Sequence, residues 1–346
     1  MDRVKIFSQL PSVILPWYNR NKRQLPWRED RQPYHIWLSE IMLQQTRAEA
    51  VKRYYLRFLQ ALPTVEALAS ADDELLHKLW EGLGYYSRVR NLKKAAVWIM
   101  EHGGEFPRDY DGVRGLPGVG PYTAGAICSI AYDLPTPAVD GNVLRVASRL
   151  CADTTPIDLP AVKTQVQEGL GQIYPKEAGD FTQALMELGA TLCGPNRKPD
   201  CENCPCNGFC LGYINGVAQQ LPVKSPKKQR RREDRTVFVL SCDGRYALEK
   251  RDSTGLLAGL WQFPNVDGRL DITAAFAWVE EKSLKPREII RQVERKHIFT
   301  HIQWDMRGIY IEVAEKTDDY TWLTAQQINQ TAALPSAFRQ FWEEIF

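Results

Sequence analysis

The sequence predicts an α+β, multidomain protein. An all-helical domain spans residues 1–220, a basic linker 221–235 and a smaller mixed α/β domain 236–346. Three observations lead there. Helical periodicity with caps and breakers runs from Tyr34 to Leu192, interrupted by a glycine-rich hairpin at Leu116-Pro117-Gly118-Val119-Gly120. Seven basic residues crowd the stretch from Lys224 to Arg235. Beyond it, β-rich runs flank Asp243-Gly244, the signature of a hairpin. With 25% charged and 44% hydrophobic residues, the 346-residue chain has the composition of a soluble globular protein. No apolar run reaches the length of a membrane span, and the N-terminal apolar stretch is too short for a signal peptide, so a cytoplasmic protein is expected.

An opening helical segment ends at Leu25-Pro26-Trp27-Arg28. From Tyr34 to Leu43 the pattern is helical, and Ile36, Trp37 and Leu43 fall within about a turn of Glu40. A carboxyl in apolar surroundings resists ionisation, which is what a general acid near neutral pH requires. An exposed Glu on the polar edge of the helix is the alternative. Thr46-Arg47-Ala48-Glu49 reads as a capping box restarting the helix, with Gln44 and Gln45 at the break. Helices are expected at 47–60, 64–69, 71–80 and 87–101, the last ended by Gly103-Gly104. Gly82-Leu83-Gly84-Tyr85-Tyr86 is a loop with paired aromatics, suited to core packing or to a wedge between DNA bases.

Two glycines and a proline exclude helix interior at 116–120, while helical patterns flank it, so the segment is a helix-hairpin-helix. Glycine amides at a helix N-terminus suit an anion such as a DNA phosphate; an ordinary turn between packed helices has the same look. The second helix opens at Pro121, Tyr122 and Thr123 and continues through small residues that let backbones approach. Eighteen residues after Tyr122, Asp140 stands directly ahead of another amphipathic pattern, a position that suits an N-cap worth about 1 kcal/mol. Helices at 142–151, 161–173 and 177–192 follow.

Five of the eight cysteines fall between Cys193 and Cys210, which without a secretion signal favours metal or cluster ligation over disulfides. Cys193, Cys201, Cys204 and Cys210 are the candidate ligands and Cys206 is spare; four such thiolates suit a [4Fe-4S] cluster or a zinc ion. After the linker, strands are expected at 236–240, 245–249, 295–302 and 305–314, and helices near 272–279, 286–291 and 336–345.

The hairpin, the Gly/Pro-containing loop and Asp140 together resemble the helix-hairpin-helix-Gly/Pro-Asp superfamily of DNA glycosylases. Glu40-Ile41-Met42-Leu43-Gln44-Gln45-Thr46 looks like the catalytic segment of its adenine-removing members, of MutY type. The resemblance implies that Gly118, Val119 and Gly120 grip the DNA backbone, that Glu40 protonates adenine and that Asp140 stabilises the sugar cation, with Tyr122 and Asn142 orienting water and Asp140. It further implies that Trp27, Arg28 and Gln183 line the adenine pocket, that Gln45 enters the duplex and that Tyr85 is the wedge. It favours [4Fe-4S] over zinc, although the interval after Cys193 holds seven residues where the family usually has six.

Leu256 to Pro264 resembles part of a Nudix fold, without the magnesium-binding Arg-Glu-x-x-Glu-Glu run. Phe299-Thr300-His301 matches a Phe-Ser-His loop that contacts 8-oxoguanine in adenine glycosylases, with Thr keeping the hydroxyl. Relatives that also cleave the strand carry a lysine at the position of Tyr122, and none occurs between Gly115 and Pro137. The expected protein is thus a monofunctional glycosylase and a monomer, without membrane association. Its partner is double-stranded DNA carrying adenine opposite 8-oxoguanine in the bacterial nucleoid, and the linker is available to repair or replication proteins. A thymine glycosylase, a non-catalytic iron-sulfur protein and a nucleotide pyrophosphatase are the rival readings.

Overall fold

The computed structural model describes residues 3–195, 197–226 and 229–345; Lys227 and Lys228 of the basic stretch lie outside these. The chain forms two compact units, residues 3–70 with 90–226, and residues 71–89 with 229–345. In chain order the helices are α1 (Arg3–Phe7), α2 (Leu10–Asn21), α3 (Pro33–Leu43), α4 (Ala48–Ala61), α5 (Val65–Ser70), α6 (Asp73–Trp80), α7 (Ser87–Glu101) and α8 (Tyr110–Gly115). Next come α9 (Pro121–Tyr132), α10 (Gly141–Leu150), α11 (Pro160–Gly171), α12 (Ala178–Thr191) and α13 (Leu211–Ile214). Pro26–Arg28 is a single 3₁₀ turn. None of the described helices is long and apolar enough to cross a membrane.

In the first unit, Leu10, Ile14 and Tyr18 of α2 pack against Val146 and Leu150 of α10, Val166 of α11 and Phe181, Leu185 and Leu188 of α12. Helix α3 is apolar nearly all round and accordingly buried, every residue from Ile36 to Met42 included. Helix α9 is buried from Thr123 to Ile130. A Cβ at Gly125 would lie 2.3 Å from the Pro137 carbonyl oxygen, so only glycine allows the loop leading to Asp140 to cross this helix. The capping box expected at Thr46 is absent. Helix α4 starts at Ala48 with Arg47 at its N-cap and no side-chain cap, one residue too late for Thr46, whose hydroxyl meets the Gln44 carbonyl at 3.4 Å.

The second unit holds β1 (Arg231–Cys242), β2 (Arg245–Lys250), β3 (Trp261–Gln262), β4 (Asn265–Asp267), α14 (Ile272–Glu281), β5 (Pro286–Ile298), β6 (Ile302–Val313), β7 (Thr321–Thr324), α15 (Ala325–Gln330) and α16 (Ser336–Trp342). The strands run in the order β3-β2-β1-β6-β5, with β4 on β1 and β7 on β2; β1 and β6 are parallel and the other pairs antiparallel. Period-two alternation splits β1. Val237 and Val239 join the core under α15 and α16, and Phe238 and Leu240 the one under α14.

Three expectations change here. Residues 286–291 are strand rather than helix. Their Arg/Glu/Gln-rich sequence favours helix, and two register shifts break the alternation that would reveal a strand, yet pairing along β6 decides the outcome. The strand expected to run to 302 stops at Ile298, leaving Phe299, Thr300 and His301 as a hairpin tip. Strand β1 starts at Arg231, not 236. Arg231 to Arg235 pair with Ile302 to Met306, and Glu233 accepts from Trp304 Nε1 at 2.9 Å, so charged side chains hid a backbone ladder.

Candidate active site

A cavity of about 570 Å³ opens in the first unit, within the range of small-molecule sites. It brings together all seven residues assigned above to chemistry and adenine: Trp27, Arg28, Glu40, Tyr122, Asp140, Asn142 and Gln183. Its rim includes Thr46 to Glu49, just beyond Gln45, which is exposed and takes the left-handed φ of 59°.

Glu40 lies in the middle of the buried face of α3, 5% exposed. Its Oε2 accepts from the Tyr122 hydroxyl at 2.5 Å. Burial and the Asp140 charge outweigh that bond and the Arg28 guanidinium, pushing the carboxyl up to about 7. Burial and the two carboxylates push the Tyr122 phenol well above its ordinary value, so it stays a donor.

Asp140 is the N-cap of α10. Its Oδ1 accepts from Val143 N at 2.8 Å, while Oδ2 accepts from Asn142 Nδ2 at 2.7 Å. The capping geometry therefore aims the carboxylate. Burial raises its pKa, opposed by these bonds, the Asn142 amide and the Arg145 charge.

Three residues of this site carry no sequence motif. Glu187, fully buried on α12, accepts from Arg23 Nε at 2.6 Å and from Arg28 Nη2 at 2.8 Å. Burial alone would raise this carboxyl, but the two guanidiniums together hold it below its usual range. The available signal was its position one turn after Gln183, among the apolar residues Leu185, Met186 and Leu188. The third, Arg145, is 6% exposed and donates to Asn142 Oδ1, Gly189 O and Cys193 O, each at 2.8 Å. One buried side chain thus touches both the residue that orients Asp140 and the first cysteine of the loop. Its signal was an arginine three residues after Asn142, the fifth residue of α10.

Between α8 and α9, Gly118 has a φ of 78°, and a Cβ there would meet Asn91 at 2.5 Å. Gly120 is the N-cap of α9. Val119 is 3% exposed, its N–H donating to Leu116 O at 3.0 Å and its carbonyl accepting from Arg114 Nη1 at 2.7 Å. In the second unit, Tyr85 is 48% exposed with a φ of 49°, and its hydroxyl lies 3.4 Å from Thr300 Oγ1. Phe299 packs edge-on against Trp304 at 4.8 Å, leaving Thr300 and His301 exposed at the tip.

Cys193, Cys201, Cys204 and Cys210 line one small cavity beside Arg149, which donates to Cys193 Sγ at 3.1 Å. Cys206 is buried in the adjoining core and does not line it. None of the eight cysteines is in a disulfide. Among the described residues no three His, Cys, Asp or Glu side chains are arranged to hold a metal ion. Four soft donors lining one shared space have the chemistry for either a [4Fe-4S] cluster or a zinc ion.

Comparison with known proteins agrees with this geometry. Residues 38–172 match the HhH-GPD superfamily of base excision DNA repair proteins and residues 236–344 match the NUDIX domain. The chain is 34% identical to the adenine DNA glycosylase of Homo sapiens, covering 94% of this chain and 72% of that protein. Against the Arabidopsis thaliana adenine DNA glycosylase it is again 34% identical over 94% of its length, but spans 62% of the relative. A thermostable thymine-DNA glycosylase superposes with a TM-score of 0.55 at 31% identity, over 62% of this chain and 97% of that one. An endonuclease III–DNA complex, at TM-score 0.51 and 24% identity over 61% of this chain and 98% of that one, shares the fold.

Proposed function

Because the chain belongs to the adenine DNA glycosylase family of base excision repair enzymes, we propose that it is a monofunctional glycosylase removing adenine mispaired with 8-oxoguanine or guanine. The observation that carries this reading is the pair Glu40 and Asp140 in one cavity, the first carboxyl raised to about 7 and the second, also raised by burial, carrying three hydrogen bonds and the Arg145 charge that favour its ionised form. Adenine in a duplex is out of reach, so the nucleotide flips into the cavity while Gln45 and Tyr85 fill the stack, offsetting a few kcal/mol of unstacking. Glu40, which keeps about half of its population protonated at neutral pH, gives its proton to adenine N7. The base then leaves as a neutral purine, and the anionic Asp140 stabilises the oxocarbenium-like sugar until water, oriented with the help of Tyr122 and Asn142, attacks. Tyr122 offers no amine for a Schiff base, which supports an abasic product without strand cleavage.

The tip residues Phe299, Thr300 and His301 are suited to contact 8-oxoguanine, the exposed Thr300 hydroxyl as its hydrogen-bonding group. Cys193, Cys201, Cys204 and Cys210 would hold a [4Fe-4S] cluster, whose contribution is to order the loop. Thymine-specific action is less well supported, since the adenine-specific relatives align over 94% of the chain, the Nudix part included.

The test is single-turnover release of base from duplexes with adenine opposite 8-oxoguanine, adenine opposite guanine and thymine opposite guanine, with and without alkali. Fast adenine release with alkali-dependent strand breaks is expected; thymine release, or strand breaks without alkali, would overturn the reading. Asp140→Asn should abolish excision and leave DNA binding intact, because an amide supplies no charge; cleavage at the normal rate would refute the mechanism.

A further inference from the structure

Resting on that reading, we propose that the released adenine leaves through a second chamber behind the catalytic cavity while the enzyme remains on its abasic DNA. The second chamber, of about 370 Å³, lies in the same unit. Arg23, Leu25, Arg28 and Gln183 line both spaces and so form the wall between them. The chamber has no lining residue from the rim at Thr46 to Glu49, nor from the catalytic set Glu40, Tyr122, Asp140 and Asn142. It opens instead among Lys22, Gln24, Glu29 and Asp30, all exposed.

The reaction itself creates the need. Once the N-glycosidic bond is broken, the deoxyribose is still part of the DNA strand and sits between the base and the rim. Adenine, the deeper fragment, cannot return past it unless the DNA withdraws first. A second opening removes that dependence.

The wall suits this use. The Gln183 carboxamide has no hydrogen-bond partner among the described residues, so its donor and acceptor are available to a purine edge from either side. Arg23, 37% exposed at its side chain, donates Nε and Nη2 to Glu187 at 2.6 and 3.0 Å, and Arg28 Nη2 donates to the same carboxylate at 2.8 Å, so Glu187 keeps a partner when the Arg23 side chain swings aside.

The experiment uses the full chain in excess over an immobilised duplex carrying radiolabelled adenine opposite 8-oxoguanine. Alkali-labile sites report cleavage and label in the filtrate reports release, each before and after high salt strips the protein from the DNA. For the wild-type chain, label should appear as fast as alkali-labile sites and ahead of the salt wash. Gln24→Trp, a bulky side chain at an exposed lining position, should leave cleavage unchanged and slow release at least about tenfold, until salt frees the DNA. Gln24→Gly should release as the wild type does. Label that stays with the wild-type complex until the salt wash, or a Gln24→Trp chain that releases at the wild-type rate, would overturn the chamber's role. Absence of alkali-labile sites in the wild type would overturn the glycosylase reading, and the proposal with it.

Discussion

Glu40 and Glu187 are the same side chain, both buried and both lining one cavity, yet they hold their protons in opposite ways. Glu40 has a single neutral donor, the Tyr122 hydroxyl, and a second carboxylate nearby, and it rises to about 7. Glu187 has two guanidiniums within 3 Å and falls below its usual range. Burial does not decide protonation; the charge and number of the donors that come with it do. One carboxyl is kept as a proton source and the other as an anion paired with two guanidiniums, Arg28 the more buried of them.

The largest break in this comparison is Glu40→Gln, which keeps the shape and removes the transferable proton. Single-turnover adenine release should fall about 10²- to 10⁴-fold, the usual worth of a general acid. Stability should move the other way. The folded chain retains the Glu40 proton up to about 7 while the unfolded chain releases it near 4.5, so rising pH through that window costs the wild type about 3 kcal/mol. At pH 8 Glu40→Gln should therefore resist urea better than the wild type, and below pH 4 the advantage should vanish. An equal midpoint at both pH values would refute the raised pKa.

Next comes Glu187→Ala, which leaves two partly buried guanidiniums unpaired. It should cost about 3 kcal/mol in urea denaturation, somewhat less than a fully buried pair because Arg23 is part-exposed. Its pH sense is the reverse of that of Glu40. The stability that Glu187 contributes is present above the unfolded value near 4.5 and is lost as pH falls through its depressed folded pKa. A smaller effect sharpens the comparison. Tyr122→Phe removes the one bond that favours ionised Glu40, so the alkaline fall of the single-turnover rate, expected near pH 7, should move to higher pH. A shift to lower pH would contradict the assigned hydrogen bond.

The capping residues show how far local chemistry can be read. Asp140 was legible as an N-cap, because the Asp and the amide it accepts from are three residues apart. Two matches to the capping-box pattern had opposite fates. Thr46 with Glu49 forms none, whereas Thr324 with Gln327, passed over in the sequence, caps α15 in both directions. The pattern specifies a spacing, and the residue at which the helix starts is set by packing. The first half of strand β5, residues 286–291, reads as helix for a related reason, while its second half is legible as strand. The alternation of the first half is broken by two bulges, and only the partner strand reveals it.

The sequence by itself determined what depends on neighbours along the chain: the hairpin at Gly118, the helix that begins after Asp140, the cysteine spacing and the change to strands beyond the linker. Gly118 must adopt a positive φ, and Asp140 must find an amide three residues on; neither needs knowledge of the rest of the molecule. Tertiary structure alone decided that Glu40 meets Tyr122 across 82 positions and that Arg23 and Glu187 pair across 164. It also placed Arg145 between Asn142 and Cys193. A carboxyl's proton affinity sums burial, charge and hydrogen bonds from every side, and those sides belong to helices whose sequence separation carries no record of their meeting.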